Sequence, residues 1–424
     1  MGKRKIGKFI KNEYFFSIVT KFFTIAIGMV QSVLIARYLG AELKGVNAYI
    51  SSITSIGAII ITFGMHQAYP YFRKQYGKDY IYNDFISLMI LIFSVFFLVG
   101  IILLVIINLE FTLKIVLVLI PLLGYSRVVS YISLVERPNL RNAWWTVISV
   151  LDVLYVCFLW LFVQKSIYSA VSILCFADAI KCVVYTFSLK VRPKFHKGLL
   201  KLAIELFKYG IFPMFALLMT TLNYRIDVLM LHQYEYITDA MIGIYSLGLS
   251  LSDKIVLIPD TLKGILVSKL SKGASYEEVA KVSRYGFWTS LFICILIILF
   301  GKPIISILYG KEYIDSYMVI VITSFGILAV SYFKLIAQFN IVNKKQKLNV
   351  VMLSIAIVVD VVLNLTFIPI WGINGAAFAT SIGNLVCGIV FIVYFSKISG
   401  ISVLRMILIQ KEDIQIFKAY VRGN

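Results

Sequence analysis

Apolar runs of bilayer-crossing length dominate the chain, and short polar segments interrupt them at near-regular intervals. A membrane-spanning helix takes about 20 predominantly apolar residues. The runs at 14–38, 46–68, 85–107, 113–134, 143–164, 168–189, 208–232, 241–268, 286–308, 315–341, 348–370 and 374–395 meet that length. They are continuous rather than alternating, which excludes a membrane β-barrel and predicts an all-α polytopic membrane protein with twelve transmembrane helices.

Composition narrows the class further. With 60% hydrophobic and only 15% charged residues among 424, the chain cannot clothe a soluble surface. The net charge of +20 does not point to nucleic acid, because Lys and Arg punctuate the apolar runs instead of gathering on one exposed face. Their placement reads as topology. With the N-terminus inside, inner segments carry Lys3, Arg4, Arg73, Lys74, Arg137, Arg141, Arg192, Lys194, Lys269, Lys272, Lys344, Lys345 and Lys411, whereas outer segments hold only Arg37, Lys44, Lys114, Lys165, Lys302 and Lys311. That asymmetry places both termini in the cytoplasm. The basic start followed by an apolar run lacks a small-residue cleavage pattern and is read as a retained first helix.

The longest basic connection, "KVRPKFHKGLLKLAIELF" at 190–207, falls halfway. It divides the chain into helices 1–6 (1–189) and helices 7–12 (208–395), with a basic tail at 396–424, and part of it is expected to lie as an amphipathic helix on the cytoplasmic leaflet. An internal repeat supports two halves. "VLIARYLGAELKGVNAYISSI" (33–53) can be laid on "VLMLHQYEYITDAMIGIYSLGLSL" (228–251), and "RNAWWTVISVLDVLYV" (141–156) on "LNVVMLSIAIVVDVVLNL" (348–365), each of the latter pair running from Asn to a mid-membrane Asp. Such repeats mark transporters built from pseudo-symmetric bundles around a central path.

Charges inside spans are costly and avoid lipid. The candidate binding cations are Lys21, Arg127, Arg225, Lys254 and Lys334, and the candidate ion-coupling or counter-ion groups are Asp152, Asp178, Asp253 and Asp360. In helix 1, Ser17, Lys21, Thr24, Gly28 and Gln31 recur at helical spacing and draw one polar stripe, as do Ser324, Ser331, Lys334 and Gln338 in helix 10 and Ser246, Ser250 and Lys254 in helix 8. Three helices with a cation in a polar stripe predict a shared hydrated cavity for an anionic group, Arg gripping phosphate by its planar fork and Lys as a point charge. Snorkelling of Lys21 and Lys334 to the headgroups is the competing reading. Asp227, two residues from Arg225, is read as an architectural anion, since residues two apart on a helix point about 200° apart.

Other chemistry is missing. The five cysteines fall inside apolar segments without paired loop positions or histidine neighbours, so neither a disulfide framework nor a metal site is expected. No GxxxxGK[ST], GxSxG, HExxH or CxxC pattern is present, and no aqueous loop is large enough for a catalytic domain. The chain is therefore read as a non-enzyme.

Three segments carry a family resemblance: "IARYLGAELKGVNAYISS" (35–52), "RIDVLMLHQYEYITDAMIGIYSLGLSLSDKIVLIPDTL" (225–262) and "LNLTFIPIWGINGAAFATSIG" (363–383). They resemble the polysaccharide flippases of the multidrug/oligosaccharidyl-lipid/polysaccharide (MOP) exporter superfamily. The resemblance implies two six-helix lobes and alternating access in a bacterial inner membrane. It also implies a cargo of undecaprenyl-pyrophosphate-linked oligosaccharide destined for O-antigen, capsule or exopolysaccharide. Membrane lipids, a polysaccharide polymerase and its chain-length machinery are the implied partners, with no nucleic acid. It implies no cofactor and leaves proton or sodium coupling open. An ion-coupled drug or metabolite antiporter of the same fold is the first alternative, and a membrane-embedded enzyme or scaffold of polysaccharide assembly the second. The buried cations count against the antiporter, which needs an acidic cavity for cationic cargo.

Overall fold

A computed structural model describes residues 2–106, 111–190, 193, 195, 196, 198–270 and 272–413, with the side chains of 2–22, 78–80 and 111–113 outside that description. Among the described residues ten helical runs are long and apolar enough to cross a membrane, and two of them, Phe23–Tyr76 and Gln346–Ser399, are 54 residues each. At 1.5 Å per residue such a run extends about 80 Å, against a hydrocarbon core of about 30 Å. Each of the two must therefore be two spans.

The breaks that divide them are single glycines. Helix α1 (Gly2–Ile61) leaves helical geometry at Gly40, with φ 74° and ψ 173°. Helix α12 (Gln346–Ser399) does so at Gly372, with φ 56° and ψ −131°. Both lie in regions that side chains rarely adopt and glycine enters freely. Twelve spans result, so the twelve-helix, all-α expectation holds. The polar turns expected at 39–45 and 371–373 are compressed into one residue apiece.

The remaining spans follow in order. In the first half, α2 (Met65–Tyr76) continues span 2 past the turn at Phe63 and Gly64. Then come α3 (Lys78–Ile106), α4 (Phe111–Glu136), α5 (Pro138–Phe162) and α6 (Ile167–Ser188). Span 7 is α7 (Gly198–Leu231). Span 8 is composite: α8 (Asp239–Ser252), a 3-10 turn at Asp253–Val256, and α9 (Leu257–Leu270). Pro259 supplies the cause of that rewinding, since it has no N–H and its ring clashes with the carbonyl four residues back, at Ile255. Then follow α10 (Tyr276–Ile304) and α11 (Ser316–Val342), and a short α13 (Val403–Ile407) follows α12.

The chain forms two compact units, Met1–Thr221 and Leu222–Asn424. Their division falls within α7, whose first three turns are formed by the amphipathic stretch 198–207.

Each unit is locked at one end by charged and polar contacts. In the first, Glu136 pairs with Arg73 and accepts from the Tyr69 hydroxyl at 2.8 Å. Beside it, Tyr82 donates to the Leu189 carbonyl at 2.6 Å and Arg137 to that of Ser188 at 2.8 Å. These sit on an apolar core including Tyr69, Phe85, Ile86 and Ile132. In the second, the tail after α12 docks on α10: buried Arg284 holds the Asp413 carboxylate at 2.7 Å, and Trp288 donates to the Ile407 carbonyl at 2.8 Å.

Candidate functional site

In unit 1 the polar stripe of α1 faces α5. Thr24 lies 3.5 Å from Thr146, and the Gln31 amide donates to Asp152 Oδ2 at 2.5 Å. Asp152 is only 7% exposed, and its second oxygen, Oδ1, is buried without a hydrogen-bond partner among the described residues. Helix α6 presents Asp178 and Lys181 on adjacent turns, joined at 2.9 Å, and Ser126 of α4 donates to the same carboxylate at 2.6 Å. Arg127, next to Ser126 on α4, is within electrostatic reach of Asp178 without an ion-pair contact. Two cations also lie against the Trp145 ring of α5: Lys181 Nζ is 4.8 Å and Arg141 Cζ 4.2 Å from its centroid. The side chain of Lys21 lies outside the described residues.

Unit 2 holds two clusters. In the first, Asp260 of α9 bridges Lys334 of α11 at 2.6 Å and Lys263 at 2.5 Å. Lys334 is 11% exposed at its side chain and 5.9 Å from the Tyr224 ring of α7. It is thus an internal group, not one reaching for headgroups. Asp253, in the 3-10 turn, is exposed yet lies in the combined field of Lys334, Lys254 and Arg225. Among the described residues Arg225 and Lys254 have no carboxylate at ion-pair distance, so their charge remains available.

The second cluster is buried. Asp227 of α7, 1% exposed, accepts from the Tyr245 hydroxyl of α8 and, at 3.2 Å, from Thr380 of α12. Its own helix contributes the Val228 amide at 2.9 Å. Asp360 of α12, 4% exposed, accepts from the Asn364 amide at 3.2 Å and feels the charge of Asp227. Gly383 lets the returning half of α12 approach, for a Cβ there would sit 2.9 Å from that of Asp360. Asn364 Oδ1 is left buried without a partner among the described residues. Arg225 and Asp227, two apart in sequence, do not pair side by side: Asp227 is held by hydroxyls and an amide.

Sequence reasoning placed Asp152, Asp178, Asp253, Asp360, Arg127, Arg225, Lys254 and Lys334 inside the spans, and the structure gathers them into these groups. It missed Tyr245, Thr380 and Trp145, whose roles arise only across helices. Arg141 was read as a topology charge in a loop. The structure puts it on the first turn of α5, and its four-residue spacing to Trp145 was the available signal.

Comparison with known proteins bears on this arrangement. The family model described as polysaccharide biosynthesis protein matches residues 10–259. The chain belongs to the polysaccharide biosynthesis protein family. A second model, described as lipid II flippase MurJ, matches residues 256–421. The capsular polysaccharide biosynthesis protein CapF of Staphylococcus aureus is 24% identical over 174 residues, 38% of this chain. This chain spans 44% of that relative's length. Among solved structures, an inward-facing multidrug resistance MATE transporter of the MOP superfamily matches with a TM-score of 0.68 at 11% identity, covering 91% of this chain and 98% of that one. The lipid II flippase MurJ in an inward closed conformation matches with a TM-score of 0.61 at 17% identity, over 96% and 93%. The fold is thus that of MOP-superfamily transporters, and the protein is a multi-pass membrane protein of polysaccharide biosynthesis.

Proposed function

We propose that this family member is a flippase that carries a polyprenyl-pyrophosphate-linked oligosaccharide from the cytoplasmic to the outer leaflet of a bacterial inner membrane by alternating access. The observation that carries this reading is a set of cations kept inside apolar helices: Arg127, Lys181, Arg225, Lys254 and Lys334 occupy positions where a charge is retained only for use. Of these, Arg127 in the first unit and Arg225 and Lys254 in the second have no carboxylate at ion-pair distance among the described residues, so each is a cation that an anionic group would complete. A cationic drug would meet the wrong field. The inner-positive loop pattern supports cytoplasmic termini, and the similarity to CapF favours capsule over the other surface glycans. Polymerase and chain-length machinery would receive the product.

Energy coupling is assigned in the same proposal to Asp227 and Asp360. Both carboxylates are buried, and a buried charge is costly unless a proton or a cation neutralises it. Asn364 Oδ1, without a partner, is an additional oxygen for such an ion.

Single Ala replacements of Lys21, Arg225, Lys254 and Lys334, scored for surface polysaccharide at matched protein levels, test the cargo path. Loss of export in Arg225→Ala and Lys254→Ala is expected. Full export from all four would end the assignment.

A further inference from the structure

Two cations of unit 1, Arg141 of α5 and Lys181 of α6, meet on one aromatic ring, that of Trp145. Arg141 and Trp145 are one turn apart at the start of α5, while Lys181 lies about two turns before the end of α6. The two ring distances, 4.2 and 4.8 Å, place the guanidinium and the ammonium within about 9 Å of one another. Like charges at that separation repel in a half-buried site, and the indole face offsets only part of that repulsion. Arg127 adds a third positive charge, its field reaching Asp178 and the buried His66. Against these three cations stand Asp178, which pairs with Lys181, and the more distant Asp152.

The hydrogen-bond inventory points the same way. Arg141 Nε is buried with no acceptor among the described residues, and Nη1 reaches only the neighbouring Asn142 side chain at 3.2 Å. His66, 2% exposed, likewise has a partnerless Nδ1. A guanidinium Nε is always a donor, so a buried one without an acceptor awaits an oxygen. Arg141 and Lys181 are thus two cationic donors held on one ring, each able to make a charge-assisted contact to a phosphate oxygen.

We propose that Arg141 and Lys181, held on the Trp145 ring, form a diphosphate clamp in unit 1, with Arg127 as the supporting charge. The inference rests on the flippase reading and deepens it: the clamp receives the diphosphate of the lipid-linked cargo at the end of the unit that the basic-loop pattern assigns to the cytoplasm. Arg141 contributes its fork, Lys181 its point charge, and the indole fixes their separation.

The test uses the full chain in lipid nanodiscs with farnesyl diphosphate as probe and farnesol and phosphatidylglycerol as comparison ligands. Arg141→Gln and Lys181→Gln are expected to weaken farnesyl diphosphate binding at least tenfold while leaving farnesol binding as it was, and Lys181→Arg to recover most of the affinity. Unchanged diphosphate affinity in both Gln variants, or equal loss for farnesol, overturns the clamp. Equal displacement by phosphatidylglycerol also overturns it, since the site would then be one for ordinary headgroups. Tryptophan emission supplies a readout that needs no charge variant. Farnesyl diphosphate should alter the emission of the native protein, and Trp145→Phe should abolish that change; emission insensitive to diphosphate rejects the proposal. Translocation of a lipid-linked oligosaccharide is scored separately. Diphosphate binding at Trp145 without translocation sinks the flippase reading and leaves the clamp, while translocation with binding indifferent to both Gln variants does the reverse.

Discussion

Asp152 in the first unit and Asp360 in the second are both buried carboxylates within membrane spans, yet their surroundings differ. Asp152 accepts from the Gln31 amide and lies in the field of the cation Lys181 and, opposing it, of Asp178. Asp360 has the Asn364 amide and, as its charged neighbour, another carboxylate, Asp227. The first carboxylate thus has a cation among its charged neighbours, and the second has a like charge. The same division appears among the cations. Unit 1 sets Lys181 and Arg141 on an indole, whereas unit 2 clasps Asp260 between Lys334 and Lys263.

The largest effect should follow from removing the carboxylate pair. Asp360→Asn and Asp227→Asn are expected to lower gradient-driven transport in proteoliposomes at least tenfold and to leave the remainder indifferent to the ion gradient. Asp152→Asn, which keeps an acceptor for Gln31, should cost only a few fold. Equal losses at Asp152 and Asp360 would erase the distinction between the two units.

The bends offer the next test. A Cβ at Gly372 would meet nothing closer than Ile237 Cδ1 at 3.5 Å, so Gly372→Ala is spatially permitted and carries only the backbone cost. Residues forced into such a conformation pay about 1–3 kcal/mol, which a lowered thermal midpoint in nanodiscs would report. An unchanged midpoint would mean that the bend tolerates ordinary backbone geometry.

The smallest effect concerns the tail strap of unit 2. Burial acts to raise the affinity of Asp413 for a proton, but Arg284, the Gln410 amide and the Tyr285 hydroxyl outweigh it and hold the carboxyl below its ordinary range. A carboxyl depressed in the folded state contributes stability above its unfolded pKa of about 3.9, and that stability is lost as pH falls through the folded value. Hydrogen exchange of 402–413 should therefore stay slow from neutral pH to about 4 and quicken below it. Asp413→Asn should quicken it at neutral pH, by a modest factor. Identical protection in the variant would show that apolar contacts such as buried Met406 hold the tail alone.

Much of the fold was legible because bilayer physics leaves few choices: an apolar run of the right length must be a helix, and its intramembrane charges must turn inward. The α1 stripe was readable from spacing, and Thr24 and Gln31 do face α5. What escaped was whatever depends on another helix. Nothing local in "IGIYSLG" says that Tyr245 donates to Asp227, and no period reveals that Thr380 joins them. The breaks at Gly40 and Gly372 fall inside the expected turns 39–45 and 371–373, and only their compression into one residue escaped, since a glycine bend needs no loop. Arg141 was hidden by the rule that read the topology, because a basic residue at a span end satisfies the inner-positive pattern whatever else it touches.

Cargo charge is the point on which the account stands. The direct measurement is a competition in proteoliposomes holding the purified chain, with a polyprenyl-diphosphate oligosaccharide in one set and a membrane-permeant-excluded cationic dye in the other. The oligosaccharide is expected to become accessible to an added glycosidase on the far side while the dye does not cross. Transport of the dye with the oligosaccharide left in place would contradict it.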